Sequence, residues 1–290
     1  MRPMVFREEP ITPLPEAARV SELVETLRLA HGLDVSNFSE DFLARSFERR
    51  RQVLADMSAP AYMRLLEQEK PEADVFMRSL EIHHSEFFRD PLVFALLEQR
   101  LLPELARTKA TSDYPELRVW SAGCAAGQEA YSIAILLREL SETAGIPVRF
   151  RLFATDNSEE QLQCAVAGVY PSNAMGNVAL RHLERWFSRH EDAYVVAPEL
   201  RELVDFSIHG LLDEYSGSPS ASIFAEFDLV FCCNLLFYYR PDCQRRMLDR
   251  LRRCLAPQGC LVTGEAEREI VQSAGFQPLA LPSAIFRAVR

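Results

Sequence analysis

The chain of 290 residues has no long apolar run. None of its hydrophobic stretches approaches the roughly 20 consecutive residues that a membrane-spanning helix needs, so no membrane insertion is expected. Its first twenty residues mix both charges with prolines and lack the apolar centre of a secretory leader. Paired cysteine motifs are missing too. The seven cysteines, Cys124, Cys164, Cys232, Cys233, Cys243, Cys254 and Cys260, form no C-x-x-C or C-x-x-H spacing, so neither a zinc site nor a redox pair is suggested. An odd number of thiols without a leader reads as reduced cysteines in a cytoplasm. Positive net charge is also lacking. At −10 the chain does not read as a general nucleic-acid binder. No internal repeat or low-complexity tract stands out.

What is present is apolar material for two cores, 48% of the residues. Residues 1–15 are proline-rich and read as a lead-in. Residues 16–106 read as an all-helical N-terminal domain. Val20, Leu23, Val24 and Leu27 recur at the spacing of one buried helix face, Ser39 reads as a helix cap, and Asp90-Pro91 sets a capping carboxylate before a first-turn proline.

After about residue 107 the period changes. Leu117–Ala122, Val148–Ala154, Ala225–Cys233 and Cys260–Thr263 read as buried strands, and Ala284–Val289 as a last one. Helical spacing lies between them at Gln128–Leu140, Ser158–Ala167 and Pro241–Leu255. Strands alternating with helices imply a Rossmann-like α/β domain over 107–290 with a mostly parallel sheet and right-handed crossovers. The stretch 168–205 fits this alternation poorly and reads as an insertion, a small antiparallel subdomain that includes strands near 193–196 and 203–206.

In such sheets ligands bind beyond the carboxyl ends of the strands. The first strand runs into Ser121-Ala-Gly123-Cys-Ala-Ala-Gly127-Gln-Glu129, where small residues permit a sharp turn and close ligand approach. The second strand ends in Asp156, spaced from the glycine loop as the usual partner of a ribose diol. A dinucleotide site is disfavoured by Ala at position 125, and a P-loop by Gln128-Glu129 after Gly127. A carboxylate at position 129 would repel phosphate but pair with an ammonium. An adenosine cofactor bearing an amino-acid moiety fits these details. A purely structural glycine turn is the other reading they leave open.

Taken in order, His84-Ser-Glu-Phe-Phe-Arg-Asp90, Val119-Trp-Ser-Ala-Gly-Cys124, Gly127-Gln-Glu-Ala-Tyr-Ser-Ile133, Ala154-Thr-Asp156 and Cys232-Cys-Asn-Leu-Leu-Phe-Tyr-Tyr239 resemble the CheR family. These enzymes methylate glutamates of chemotaxis receptors with S-adenosylmethionine. The similarity runs from about Phe38 to about Gly264. The resemblance implies that Arg89 binds the cofactor near the transferred methyl and that Tyr238 lines the transfer site, both as catalytic groups. It also implies that Gly123, Cys124 and Glu129 form the cofactor loop, that Asp156 holds the ribose, and that Asn234 and Leu235 hold the cofactor after the later strand.

The sequence departs from the family pattern at three places. His83 stands where an asparagine is expected, in a segment that also carries the cofactor-side hydroxyl of Ser85. Gly210 replaces an asparagine before Leu211-Leu212, and Cys233 replaces an arginine before Asn234. The pair His83-His84 has no further ligands spaced to complete a metal site. Arg45, Arg49, Arg50 and Arg51 share one N-terminal helix. The resemblance gives them a role in recognising the acidic, glutamate-bearing helix of a receptor, while a solvated basic face is the plainer reading. Three functions therefore stay open: a receptor glutamate O-methyltransferase, a methyltransferase of the same fold with another carboxylate or protein substrate, and an inactive S-adenosylmethionine-binding sensor or adaptor.

Overall fold

A computed structural model describes residues 16–54, 57–81, 85–113, 115–143, 145, 149–213, 218–219, 226–279 and 283–289. The reading of 1–15 as a lead-in lies outside these residues. Two compact units divide the chain, 1–81 and 82–290.

Among its described residues the first unit holds four helices, α1 (Glu16–His31), α2 (Glu40–Val53), α3 (Ala59–Gln68) and α4 (Lys70–Ser79). Val20, Leu23 and Leu27 of α1 are buried, as their spacing predicts. They share the unit's interior with Phe42, Leu43, Phe47, Tyr62, Leu66 and Phe76. The Ser39 hydroxyl accepts the N–H of Phe42 and caps α2, a bond worth about 1 kcal/mol.

The second unit begins with α5 (Pro91–Leu96), a π-helical turn (Leu97–Leu101) and α6 (Leu102–Ala110). This unit thus takes in helices that the sequence reading, with its limit near 106, places in the N-terminal domain. Helical period alone does not say which core a helix joins. Leu97, Leu101 and Leu102 pack into the same cluster as the sheet, and the Phe94 ring stacks at 6.5 Å on Phe231 of a central strand. Pro103 falls in the first turn of α6, directly after the π turn. Its missing N–H and bulky ring disfavour a regular ladder over the preceding residues, so the helix widens there instead of stopping.

The remaining elements are β1 (Glu116–Ala122), α7 (Gln128–Thr143), β2 (Arg149–Asp156), α8 (Glu159–Ala167), β3 (Val169–Pro171), α9 (Leu180–Trp186), β4 (Phe187–His190), β5 (Ala193–Val196), α10 (Pro198–Arg201), β6 (Val204–Ile208), β7 (Phe227–Cys232), α11 (Pro241–Cys254), β8 (Leu255–Thr263), α12 (Arg268–Ser273), β9 (Phe276–Pro278) and β10 (Ile285–Ala288). Seven strands form one sheet in the order β6-β2-β1-β7-β8-β10-β9. Among the described residues only β10 is reversed against its neighbours. The other pairings are parallel. The fold is the Rossmann-like, mostly parallel sheet that the alternation predicts.

β3, β5 and β4, within the stretch 168–205, make a separate antiparallel sheet. The 203–206 segment belongs to the main sheet. It is the core of β6, with Val204 buried and paired in register beside Leu152 of β2. Chain order reverses between β1 and β7, because β1 leads to β2 on one side and β7 leads to β8 on the other. This is the switch point, and its crevice opens beyond the carboxyl ends of those two strands.

Candidate cofactor and transfer site

The loop after β1 closes tightly over the tip of β2. Gly123 and Cys124 both donate backbone N–H groups to the Thr155 carbonyl, at 2.8 and 2.9 Å. Gly123 and Gly127 hold left-handed backbones, with φ of +79° and +90°, where a side chain would be strained. A Cβ on Gly127 would also fall 2.8 Å from the Ala165 Cβ. The insertion supports the same loop, because the buried Tyr170 hydroxyl donates to the Ala126 carbonyl at 2.5 Å. Asp156 is buried at the tip of β2, where Oδ2 accepts Ala125 N–H at 2.8 Å and Oδ1 accepts Ser158 N–H at 2.9 Å.

Glu129, in the first turn of α7, sits half-buried at the crevice. Its Oε1 accepts the Ser121 hydroxyl at 2.6 Å. Burial pushes the Glu129 carboxyl up. The Ser121 hydroxyl and the Cys233 thiol draw it down by hydrogen bonding, the Glu267 charge pushes it further up, and Arg89 acts on it electrostatically in the opposite sense. Cys233 therefore supplies a neutral donor where the family pattern has a cation. Burial keeps that thiol protonated.

Beyond β7, Asn234 takes a left-handed conformation, φ +58°, a backbone state that asparagine tolerates better than most residues. Its N–H and those of Leu235, Leu236 and Gly264 all point at one carboxylate, that of the fully buried Glu267. Leu235 closes against the glycine loop, its Cδ2 lying 3.1 Å from where a Cβ on Gly123 would stand. Tyr238 ends a short 3-10 turn (Leu236–Tyr238) and packs its ring 4.4 Å from Phe237.

Phe88 is the strained point before α5. It is a non-glycine residue at φ +48°, a state that costs of order 1–3 kcal/mol and persists where its surroundings enforce it. The enforcing contacts are visible. Its N–H is held by the Ser132 hydroxyl at 3.0 Å, and its ring stacks on the buried His182 at 5.1 Å. Arg89 follows this turn, is exposed, and acts electrostatically on Glu129. Asp90 caps α5 through Val93 N–H, as the pair Asp90-Pro91 predicts.

Gly123, Cys124, Glu129, Asp156, Asn234 and Leu235 thus lie on the loops around the switch-point crevice, and Arg89 acts on Glu129 electrostatically. Ser85 is half-buried in the preceding loop, and His83 lies outside the described residues. Gly210 is accounted for locally, because its N–H donates to Asp213, whose carboxylate fills the space a Cβ would take. Glu267 and Ser121 went unread in the sequence. Glu267 follows the tip of β8 by a few residues, and its partners in the loop beyond β7 lie over thirty positions away, beyond the reach of a local signal.

The four N-terminal arginines divide in two. Arg50 forms a two-pronged ion pair with Glu72, both contacts at 2.8 Å, and Arg51 binds Glu48 and the Met57 carbonyl. These two fasten α2 within its own unit. Arg45 and Arg49, one turn apart, are the exposed members of the set.

These residues fit S-adenosylmethionine. The left-handed glycine loop offers backbone groups at close range. Asp156 is a buried, acceptor-only carboxylate at the strand tip, the kind of group that takes a ribose hydroxyl. Glu129, strained by burial and satisfied by neutral donors, is suited to the ammonium of the methionine part.

Residues 83–284 match the CheR methyltransferase, SAM binding domain. The chain belongs to the CheR methyltransferase family, and S-adenosylmethionine is the cofactor of its matched domain. It is 32% identical over 277 residues to an uncharacterized 104.1 kDa protein of Rhodobacter capsulatus, matching 96% of this chain and 28% of that one. It is 35% identical over 185 residues to chemotaxis protein methyltransferase 1 of Pseudomonas aeruginosa, covering 62% of this chain and 64% of that one. It is 32% identical over 255 residues to the chemotaxis protein methyltransferase of Escherichia coli, covering 86% and 82% respectively. The chain thus spans less than two thirds of the length of the first two. No helix among the described residues is long and apolar enough to cross a membrane.

Proposed function

We propose that this chain transfers the methyl group of S-adenosylmethionine to glutamate side chains of a chemoreceptor-like protein in the cytoplasm. The observation that carries this reading is the gathering of Glu129, Asp156 and Asn234 around one switch-point crevice, with Arg89, which follows the strained Phe88 turn, acting on Glu129 electrostatically. Bound S-adenosylmethionine would supply an electrophilic methyl group on a sulfonium centre. The chain's own residues then have a limited task. A glutamate acceptor is already ionised near neutral pH, so no strong base is required, and alignment and exclusion of water do most of the work. Arg89 and the Tyr238 hydroxyl are the groups to orient that carboxylate by hydrogen bonds. The exposed pair Arg45 and Arg49 supports an acidic helical segment as the target, because a local positive stripe on a net-acidic protein attracts such a surface.

Cys233 and Gly210, each in place of a polar family residue, favour a second reading: a cofactor-binding sensor without turnover. Calorimetric titration with S-adenosylmethionine and S-adenosylhomocysteine, followed by radiolabelled methyl transfer to receptor fragments, separates the two. Base-labile label on glutamate supports the enzyme. Micromolar binding without transfer to any fragment supports the sensor, and no binding of either ligand overturns both.

A further inference from the structure

A carboxylate with no solvent exposure and no cation in contact is costly unless other groups satisfy it. Glu267 is such a group among the described residues. Burial pushes its carboxyl up, and the backbone N–H groups of Gly264, Asn234, Leu236 and Leu235 pull it down. Their bonds are short: Asn234 to Oε2 at 2.7 Å, Gly264 to Oε2 at 2.8 Å, Leu235 to Oε1 at 2.7 Å and Leu236 to Oε1 at 2.6 Å. Three of the four donors are consecutive residues of the loop beyond β7, over thirty positions away in sequence.

Consecutive N–H groups converge on one acceptor only when the loop bends, and the bend here is the left-handed Asn234. Two further contacts make the arrangement specific. A Cβ on Gly264 would fall 2.5 Å from Asn234 Nδ2 and 3.0 Å from Glu267 Oε2, so the strand tip at 264 must be bare for both groups to sit where they do. Leu235, held by Oε1, lies against Gly123 of the cofactor loop. The carboxylate is thus connected, through two bonds and one packing contact, to both loops of the crevice.

We infer that Glu267 is a positioning residue for the cofactor site: its carboxylate templates the Asn234–Leu236 turn and so fixes Asn234 and Leu235 against the glycine loop. This rests on the proposed cofactor site and adds to it a residue that does not itself touch the cofactor. Glu267→Gln keeps the shape but replaces one acceptor oxygen by an amide NH2, which opposes two of the four donors.

The test compares S-adenosylhomocysteine affinity of the full chain by calorimetry, with circular dichroism and thermal melting as folding controls. Glu267→Gln, still folded, is expected to raise Kd tenfold or more. Glu269→Gln, which removes an equal charge from an exposed site on α12, should leave it within twofold. Gly264→Ala disturbs the same turn without removing the charge, so it should also weaken binding. Combined with Glu267→Gln, its effect should be less than additive. Wild-type affinity in a folded Glu267→Gln protein overturns the inference. Should that variant not fold, a folded Gly264→Ala with unchanged Kd overturns it instead. Failure of the wild type to bind at all is a different result, and it counts against the cofactor site itself.

Discussion

The Asp156 carboxylate holds the Ala125 N–H at 2.8 Å, joining the tip of β2 to the loop after β1. The same side chain also receives Ser158 N–H, so it shapes the site as well as facing it. Asp156→Ala leaves two donors without their acceptor at a buried position. It is expected to weaken S-adenosylhomocysteine binding by roughly 1–3 kcal/mol and to lower the melting temperature. Asp156→Asn retains one acceptor oxygen and should fall between the two. Calorimetry and thermal melting of the three proteins provide the check, and an unchanged affinity in the alanine variant removes Asp156 from the site.

The split among the arginines of α2 makes a second prediction. Arg50 and Glu72 are both largely buried, and the Tyr62 hydroxyl adds a bond to Glu72 at 3.1 Å. Arg50→Ala should cost about 1–3 kcal/mol of stability through the stranded carboxylate. The exposed Arg45 and Arg49 contribute little to folding. Arg45→Ala with Arg49→Ala should melt like the wild type and lose methyl transfer to receptor fragments, through a raised KM for the protein substrate at constant cofactor affinity. Urea denaturation and methylation kinetics separate the two pairs.

Glu72 is also where the reading of the sequence reached its limit. Arg50 looked like its neighbours because the helix period is local, whereas its partner lies 22 residues away. Glu267 escaped for the same reason. Three of its four donors are 31 to 33 residues distant along the chain, and nothing in the order Gly264-Glu-Ala-Glu267 announces them. Local signals did better. The buried faces of α1 and α11, the strand tip at Asp156 and the glycine loop all follow from spacing within one element or one turn. The helices at 91–110 show the boundary between the two cases. Their period was legible, but their attachment to the sheet through Phe94 and Leu101 was not. The strand at 204–208 was legible as a strand, and only its parallel pairing with β2 assigns it to the main sheet.

The raised carboxyls of Glu129 and Glu267 fix the sign of a pH effect. In both, burial is the main cause and the folded value lies above the usual glutamate range. The folded state therefore holds these protons more tightly than the unfolded chain. Their contribution to stability is full below the unfolded value and is lost as pH rises through the folded one. An ammonium bound beside Glu129 favours its ionised form, so cofactor binding should expel a proton and strengthen as pH rises through that value. Calorimetry of S-adenosylhomocysteine in buffers of differing ionisation enthalpy measures the proton directly. Proton uptake on binding would show the sign to be wrong.

Arg89 yields the sharpest kinetic expectation. It follows Phe88, whose left-handed backbone is maintained by Ser132 and by the His182 stack, so its placement does not depend on its own side chain. Arg89→Ala should leave the fold and the S-adenosylhomocysteine affinity nearly unchanged. It should lower kcat by about tenfold to a hundredfold, the worth of one or two charge-assisted hydrogen bonds at roughly 1.4 kcal/mol per factor of ten. Arg89→Lys keeps the charge but loses the planar fork and should recover only part of the rate. Ser132→Ala removes the hydroxyl that holds the turn and should lower kcat in the same direction, with Arg89 still present. Full turnover by Arg89→Ala with wild-type cofactor affinity would exclude Arg89 from the transfer site and leave Tyr238 as the candidate to orient the acceptor.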